Sequence, residues 1–183
     1  MSRHVEADKP GAKAKKRVFL ALWPDEPTRG ALHHLARGLD VGGRPVPRAH
    51  LHLTLAFPGT IDAARADCLA ARLDSLHFDP IAILLDRAGR FDGPRVAWAG
   101  PSRSPRELDQ LAERARGLCL ACGVETDGRP FEPHVSLRRH ARPPACGELA
   151  EPIHWFADTL ALVESGNNGH AGPYRLLARW PSA

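Results

Sequence analysis

Apolar positions along the chain recur at two spacings, and the changes between them divide it into elements. From Arg17 to Trp23 (RVFLALW) the run is continuous and carries β-branched and aromatic residues, the pattern of a buried strand. Pro24-Asp25-Glu26-Pro27 breaks it and opens a helix to about Leu39, with acids in the first turn and Leu32, Leu35 and Leu39 facing inward. Val41 to Ala49 is a Gly/Pro loop leading to an alternating strand over His50 to Phe57, which Pro58-Gly59 closes. Ile61 to Leu76 reads as a second helix and Ile81 to Asp86 as a strand. Gly89 to Pro94 is a turn that returns Arg95 to Ala99 as a hairpin partner. Ser104, with Glu107 three residues on, predicts a capping box at the head of a third helix. That helix ends at Cys122, with Gly123 as its stop.

A second alternating strand is expected from about His134 to Arg139. The prolines of Ala141 to Pro152 suggest irregular chain; Trp155 to Ser165 reads as one strand, Gly166 to Gly172 as a flexible hairpin loop and Tyr174 to Trp180 as the last strand. Residues 1–16, polar and basic, read as a disordered tail before a single domain over 17–183. The element order is that of an α+β fold, with helices over one face of each sheet, and it divides into two lobes of related design about a cleft.

The chemistry lies in an echo between the two alternating strands. Leu51-His52-Leu53-Thr54-Leu55 is matched by Pro133-His134-Val135-Ser136-Leu137, displaced by 82 positions. Side chains at i and i+2 of a strand share a face. Each strand therefore presents one imidazole and one hydroxyl about 7 Å apart, at roughly 3.3 Å per residue. A single His-x-Thr is more often a half-buried strand histidine bonded to a carbonyl. Two copies half a chain apart suggest an internal repeat with a site on its axis. Paired imidazoles can supply a general acid and a general base near neutral pH, and the hydroxyls can hold an anion between them.

The chain has 183 residues, enough for one compact domain, and 43% of them are hydrophobic. Its net charge of +4, with arginine far outnumbering lysine beyond the tail, suits an anionic partner such as RNA without requiring one. No apolar run reaches the roughly 20 residues of a membrane span and no signal peptide opens the chain, so a cytoplasmic location is expected. Cys119 and Cys122 form a C-x-x-C inside the third helix's apolar stripe (Leu108, Leu111, Ala115, Leu118, Cys122). With no second pair nearby this reads as core packing, and with Cys68 on another helix and Cys146 in a loop no disulfide is expected. The other histidines, including His33, His34, His50 and His140, lack metal-ligand spacing and read as surface or packing residues.

With these residues in view, the chain resembles the two-histidine phosphoesterase superfamily, and within it the RNA 2′,3′-cyclic phosphodiesterases, also called 2′-5′ RNA ligases. Leu51 to Gly59 resembles the first motif of that family and Arg129 to Arg139 the second; Arg17 to Leu22 resembles its opening strand and Tyr174 to Leu177, with Trp180, its closing one. Ser136 departs from the usual threonine; it keeps the hydroxyl and loses the methyl that stiffens its rotamer. The resemblance implies two lobes about a pseudo-two-fold axis and hydrolysis of an RNA 2′,3′-cyclic phosphate to a 2′-phosphate. The strained cyclic ester calls for no metal or other cofactor, and nothing in the sequence calls for an obligate protein partner or more than a monomer. The resemblance also implies His52 as general acid, His134 as general base, and Thr54 and Ser136 on the non-bridging oxygens. Phe57 and Arg139, each five residues past a motif histidine, would flank the nucleobase. Arg138 is expected on the opposite strand face, toward solvent. The alternatives are reversible ATP-independent 2′-5′ joining of RNA ends and an RNA-end-binding module without turnover.

Overall fold

The computed structural model describes residues 15–126, 128–143, 147–166 and 174–183. Among these residues nine strands form one antiparallel sheet: β1 Lys16–Leu22, β2 Arg44–Pro45, β3 Leu53–Ile61, β4 Ile81–Phe91, β5 Val96–Gly100, β6 Val135–Arg139, β7 Gly147–Ala157, β8 Thr159–Ser165 and β9 Arg175–Pro181. The α-helices described with them are α1 Glu26–Gly38, α2 Ala63–Leu73 and α3 Arg106–Ala121. The strands lie in the order β7-β4-β5-β6-β3-β1-β8-β9, with β2 on β6. β3 and β6 meet at the middle through one paired position, Leu53↔Val135. Those two residues are 82 apart, the offset of the sequence echo. A two-fold operation through this pair thus exchanges the halves β9-β8-β1-β3 and β7-β4-β5-β6.

The helices follow from their apolar spacing and caps. Asp25 caps α1 by accepting from the Thr28 N–H (2.9 Å), and Asp62 caps α2 by accepting from the Arg65 N–H (2.9 Å). Each buries one stripe: Thr28, Leu32 and Ala36 on α1; Ala66, Leu69 and Leu73 on α2; Leu108, Leu111, Ala112, Ala115 and Cys119 on α3. α1 packs on β6 and β7, α3 packs on β3, and α2 lies against α3. The main core is the layer between these helices and one sheet face, including Val18, Leu20, Leu22, Leu53, Leu55, Val135 and Leu137. The opposite face of β1 carries Phe19, Ala21 and Trp23, a second apolar cluster that Phe57, Tyr174 and Leu176 adjoin.

Several expectations from the sequence are corrected. β4 runs on through Gly89 to Phe91, because the bare glycine leaves room for the Trp98 ring; a Cβ there would lie 2.1 Å from it. β7 occupies chain expected to be irregular: it is an edge strand, where Pro152 breaks no shared ladder, and its register on β4 shifts beside that proline. The single strand expected over Trp155 to Ser165 is two, parted at Asp158, and β7 and β8 lie in opposite halves of the sheet. β3 continues through Pro58-Gly59 to Ile61, so α2 is shorter than expected. The capping box is not formed. Pro105 takes the N-cap position of α3, and the Ser104 hydroxyl donates to Asp109 Oδ1 (2.5 Å).

Cys68 on α2 and Cys122 at the end of α3 form a disulfide, with Cα atoms 5.9 Å apart. Packing α2 against α3 brings together two residues 54 apart in sequence, which spacing alone does not reveal. Cys119 remains a buried thiol, as expected of a core residue. Residues 1–14 of the expected tail, Cys146 and most of the 166–172 loop lie outside the described residues; Lys16 already pairs with Ile61 in β1.

Candidate active site

His52 and His134 each immediately precede the first residue of a central strand, β3 and β6. Leu51, Leu53 and Leu55 fill the core, which turns His52 and Thr54 to the other face; Val135 and Leu137 do the same for His134 and Ser136. All four polar side chains are half-buried. Antiparallel counting from Leu53↔Val135 sets Thr54 opposite His134 and His52 opposite Ser136.

The imidazoles are held alike. His52 Nδ1 donates to the His50 carbonyl at 2.7 Å, and His134 Nδ1 donates to the Glu132 carbonyl at 2.7 Å. A carbonyl only accepts, so each Nδ1 carries the hydrogen and each Nε2 is the nitrogen left for proton exchange. Rings then fix each plane. Phe19 stacks on His52 at 4.6 Å and Trp23 at 5.9 Å, while Tyr174 meets it edge-on at 5.5 Å. Phe91 meets His134 edge-on at 4.7 Å and Trp98 lies 6.4 Å away. These apolar surroundings disfavour the imidazolium. Burial, opposed by the His50 carbonyl and reinforced by His134, Arg139 and His50, lowers His52 to about 4. Burial also lowers His134, against the Glu132 carbonyl and carboxylate. A charge on His134 thus disfavours one on His52, and the pair takes up protons in steps.

A cavity of about 730 Å³ opens beside the β3–β6 junction, lined by Thr54, Phe57, Phe91, Val96, His134 and Ser136, with Arg116, Arg129 and Phe131 farther along. His52 and Arg139 are not among its lining residues. His52 is flanked by its three rings, and Arg139 is exposed yet close enough for its charge to add to burial in lowering both His50 and His52. Phe57 lines the cavity, with the Arg17 guanidinium 4.6 Å from its ring centre.

Strict alternation would turn Phe57 and Arg139 away from the site, since each lies an odd number of residues past its histidine. Two bulges correct this. On β3 the register steps from Thr54↔Ala21 to Ala56↔Leu20, leaving Leu55 as the extra residue. On β6 it steps from Ser136↔Trp98 to Arg138↔Ala97, leaving Leu137 as the extra residue. Arg139 therefore returns to the face of Ser136. Arg138 takes the other face, as expected, but does not reach into solvent. Its guanidinium donates to the carbonyls of Ala36 (2.8 Å), Gly42 (2.7 Å) and Gly43 (3.1 Å), closing the end of α1.

The supporting residues carry little mark in the sequence. His50 was expected to be peripheral, yet its carbonyl orients His52 and its ring stacks on Tyr174 at 4.4 Å. Its counterpart 82 positions on is Glu132, and that offset was the available signal. Phe19, Trp23, Phe91, Trp98 and Tyr174 had none beyond their apolar character.

A continuous antiparallel sheet with an imidazole and a hydroxyl on each of two strands about its axis defines a two-histidine phosphoesterase. The profile of the 2′-5′ RNA ligase superfamily matches residues 24–169, and the chain belongs to that superfamily. It is 38% identical over 128 residues to the RNA 2′,3′-cyclic phosphodiesterase of Escherichia coli K12, covering 69% of this chain and 73% of that protein. With the RNA 2′,3′-cyclic phosphodiesterase of Thermus thermophilus it shares 31% identity over 182 residues, 90% of this chain and 89% of the other. Among solved structures, E. coli LigT complexed with 3′-AMP superposes with a TM-score of 0.78 at 29% identity, over 92% of this chain and 99% of that one.

Proposed function

We propose that this protein hydrolyses 2′,3′-cyclic phosphate ends of RNA to 2′-phosphates by paired imidazole catalysis, without a metal. The observation that carries the reading is the matched pair of Nδ1–carbonyl bonds, which presents two Nε2 atoms about one axis. The names of the relatives supply the substrate class. In the reaction His134 takes a proton from water as its oxygen bonds to phosphorus. The P–O3′ bond breaks, and His52 gives its proton to the departing 3′ oxygen. The phosphate stays on O2′, and ring strain in the cyclic diester lowers the barrier. Thr54 and Ser136 donate to the non-bridging oxygens, where charge develops.

The acid and base roles of the two rings come from resemblance. The low affinity of His52 for a proton, set by its burial, requires a bound anion to raise it. An opposite charge a few ångströms away favours the imidazolium. Phe57, backed by Arg17, offers a face on which any base stacks, and Arg139 reaches the phosphate side. With an RNA 5′-hydroxyl in the place of water the same step would form a 2′-5′ linkage, and run backwards it would reopen that linkage to the cyclic phosphate. The test is hydrolysis of an oligoribonucleotide ending in a 2′,3′-cyclic phosphate, with EDTA present and the product phosphate mapped. A 2′-phosphate supports the reading, and no turnover by folded protein refutes it.

A further inference from the structure

Beyond the histidines, one charged patch has no carboxylate partner among the described residues. β6 lies between β2 and β5, so Arg139 has Arg44 directly opposite on one side and Val96 on the other, with Arg95 adjacent to Val96 in the chain. Backbone bonds lace these segments together: the Ala141 N–H donates to the Arg95 carbonyl (2.9 Å) and the Arg142 N–H to the Val41 carbonyl (2.6 Å). Arg44, Arg95, Arg139 and Arg142 are all exposed, and among the described residues none forms an ion pair with a carboxylate.

The fold keeps this arrangement against local cost. Like charges directly opposite on paired strands destabilise the pairing. Arg95 and His140 both adopt positive φ, 52° and 57°, which is strained for residues with a Cβ. Gly43 presses so closely on β6 that a Cβ would lie 2.3 Å from the Arg139 carbonyl oxygen. Such a patch becomes favourable once anions lie across it. No lysine follows Lys16, so all of its cations are planar guanidinium forks, which fit phosphate oxygens in pairs. It begins at the site, since Arg139 acts on His52, and Pro94, the neighbour of Arg95, lines the cavity.

We propose that the Arg44–Arg95–Arg142 surface beside Arg139 binds the phosphates of the nucleotides 5′ to the cyclic end, so that the enzyme prefers an RNA strand to a mononucleotide. This rests on the function proposed above. The test compares kcat/KM for an eight-nucleotide RNA ending in a 2′,3′-cyclic phosphate with that for 2′,3′-cyclic AMP, at several salt concentrations. The proteins are wild type, the Arg44→Ala/Arg95→Ala double variant, and Arg72→Ala on α2 as a control of like charge.

The double variant is expected to lose about tenfold on the oligomer and less than twofold on the mononucleotide. Its salt slope on the oligomer should be shallower by about 1.4, for two contacts at roughly 0.7 each. Equal losses on both substrates, an equal loss in Arg72→Ala, or no loss would overturn the proposal. If wild type cleaves neither substrate, the proposed function fails, and fluorescence anisotropy with a 3′-phosphorylated RNA octamer still decides the docking. Binding weakened about tenfold by the double variant supports it, and unchanged binding overturns it.

Discussion

Leu55 and Leu137 occupy the same place in the two halves of the sheet: each is the extra residue of a bulge, one position past the site hydroxyl. Their side chains fill the core while the strand shifts phase around them. Each bulge brings the third residue past the hydroxyl, Phe57 or Arg139, onto the site face. Removing the Phe57 ring takes away a stacking platform worth about 1–3 kcal/mol per base. Phe57→Ala should therefore raise KM by roughly tenfold or more with little change in kcat, read by steady-state kinetics. An unchanged KM would exclude Phe57 from substrate binding.

Burial lowers both histidines, His52 to about 4. A lowered imidazole value means that the neutral form is favoured, and the protonated partner needed as acid is lost as pH rises through that value. The pH profile of kcat/KM, which reports the free enzyme, should therefore peak below about pH 6.5, the ordinary imidazole value. Bound anionic phosphate favours the imidazolium, so the kcat profile should lie at higher pH. A kcat/KM optimum above about pH 7 would contradict the buried, mutually repelling pair.

Gly89 gives Trp98 its seat, and Trp98 lies beside Phe91 and His134. Gly89→Ala drives a methyl into the indole and should cost about 1–3 kcal/mol, the usual range for overpacking. Thermal unfolding should show the loss, and Trp98→Leu in the same chain should restore part of it. Equal stability of Gly89→Ala and wild type would show that the ring is free to move aside.

The Cys68–Cys122 bond joins α2 to α3 on the helical side of the sheet and closes a long loop. Chain-entropy arguments put the loss on reduction at up to about 4 kcal/mol for a span of this length. Cys68→Ser should lower the denaturation midpoint by that order and leave kcat of the folded protein near wild type. A large fall in kcat with unchanged stability would place the bond in the function of the site.

The sheet and site were legible to the extent that alternation and the 82-residue echo reach. The apolar leucines around His52 give its strand and its face, and the echo gives the axis. Phase was not legible: a bulge at Leu55 or Leu137 changes the face of the residues that follow it, and nothing in the local sequence marks it. Partners from distant segments were hidden for a similar reason. Arg138 looks like a surface charge until the carbonyls of Ala36, Gly42 and Gly43 are brought around it. The strand around Pro152 was obscured because proline propensity carries no information on whether a strand lies at an edge.

The most direct test of the paired-imidazole account is hydrolysis of a 2′,3′-cyclic phosphate-ended oligoribonucleotide in EDTA by wild type, His52→Ala and His134→Ala. General acid or base assistance contributes typically about 10²–10⁴-fold, so each variant should fall by at least about a hundredfold while keeping its fold by circular dichroism. The wild-type product should carry its phosphate on O2′. Turnover by either folded variant within a few-fold of wild type, or a 3′-phosphate product, would contradict it.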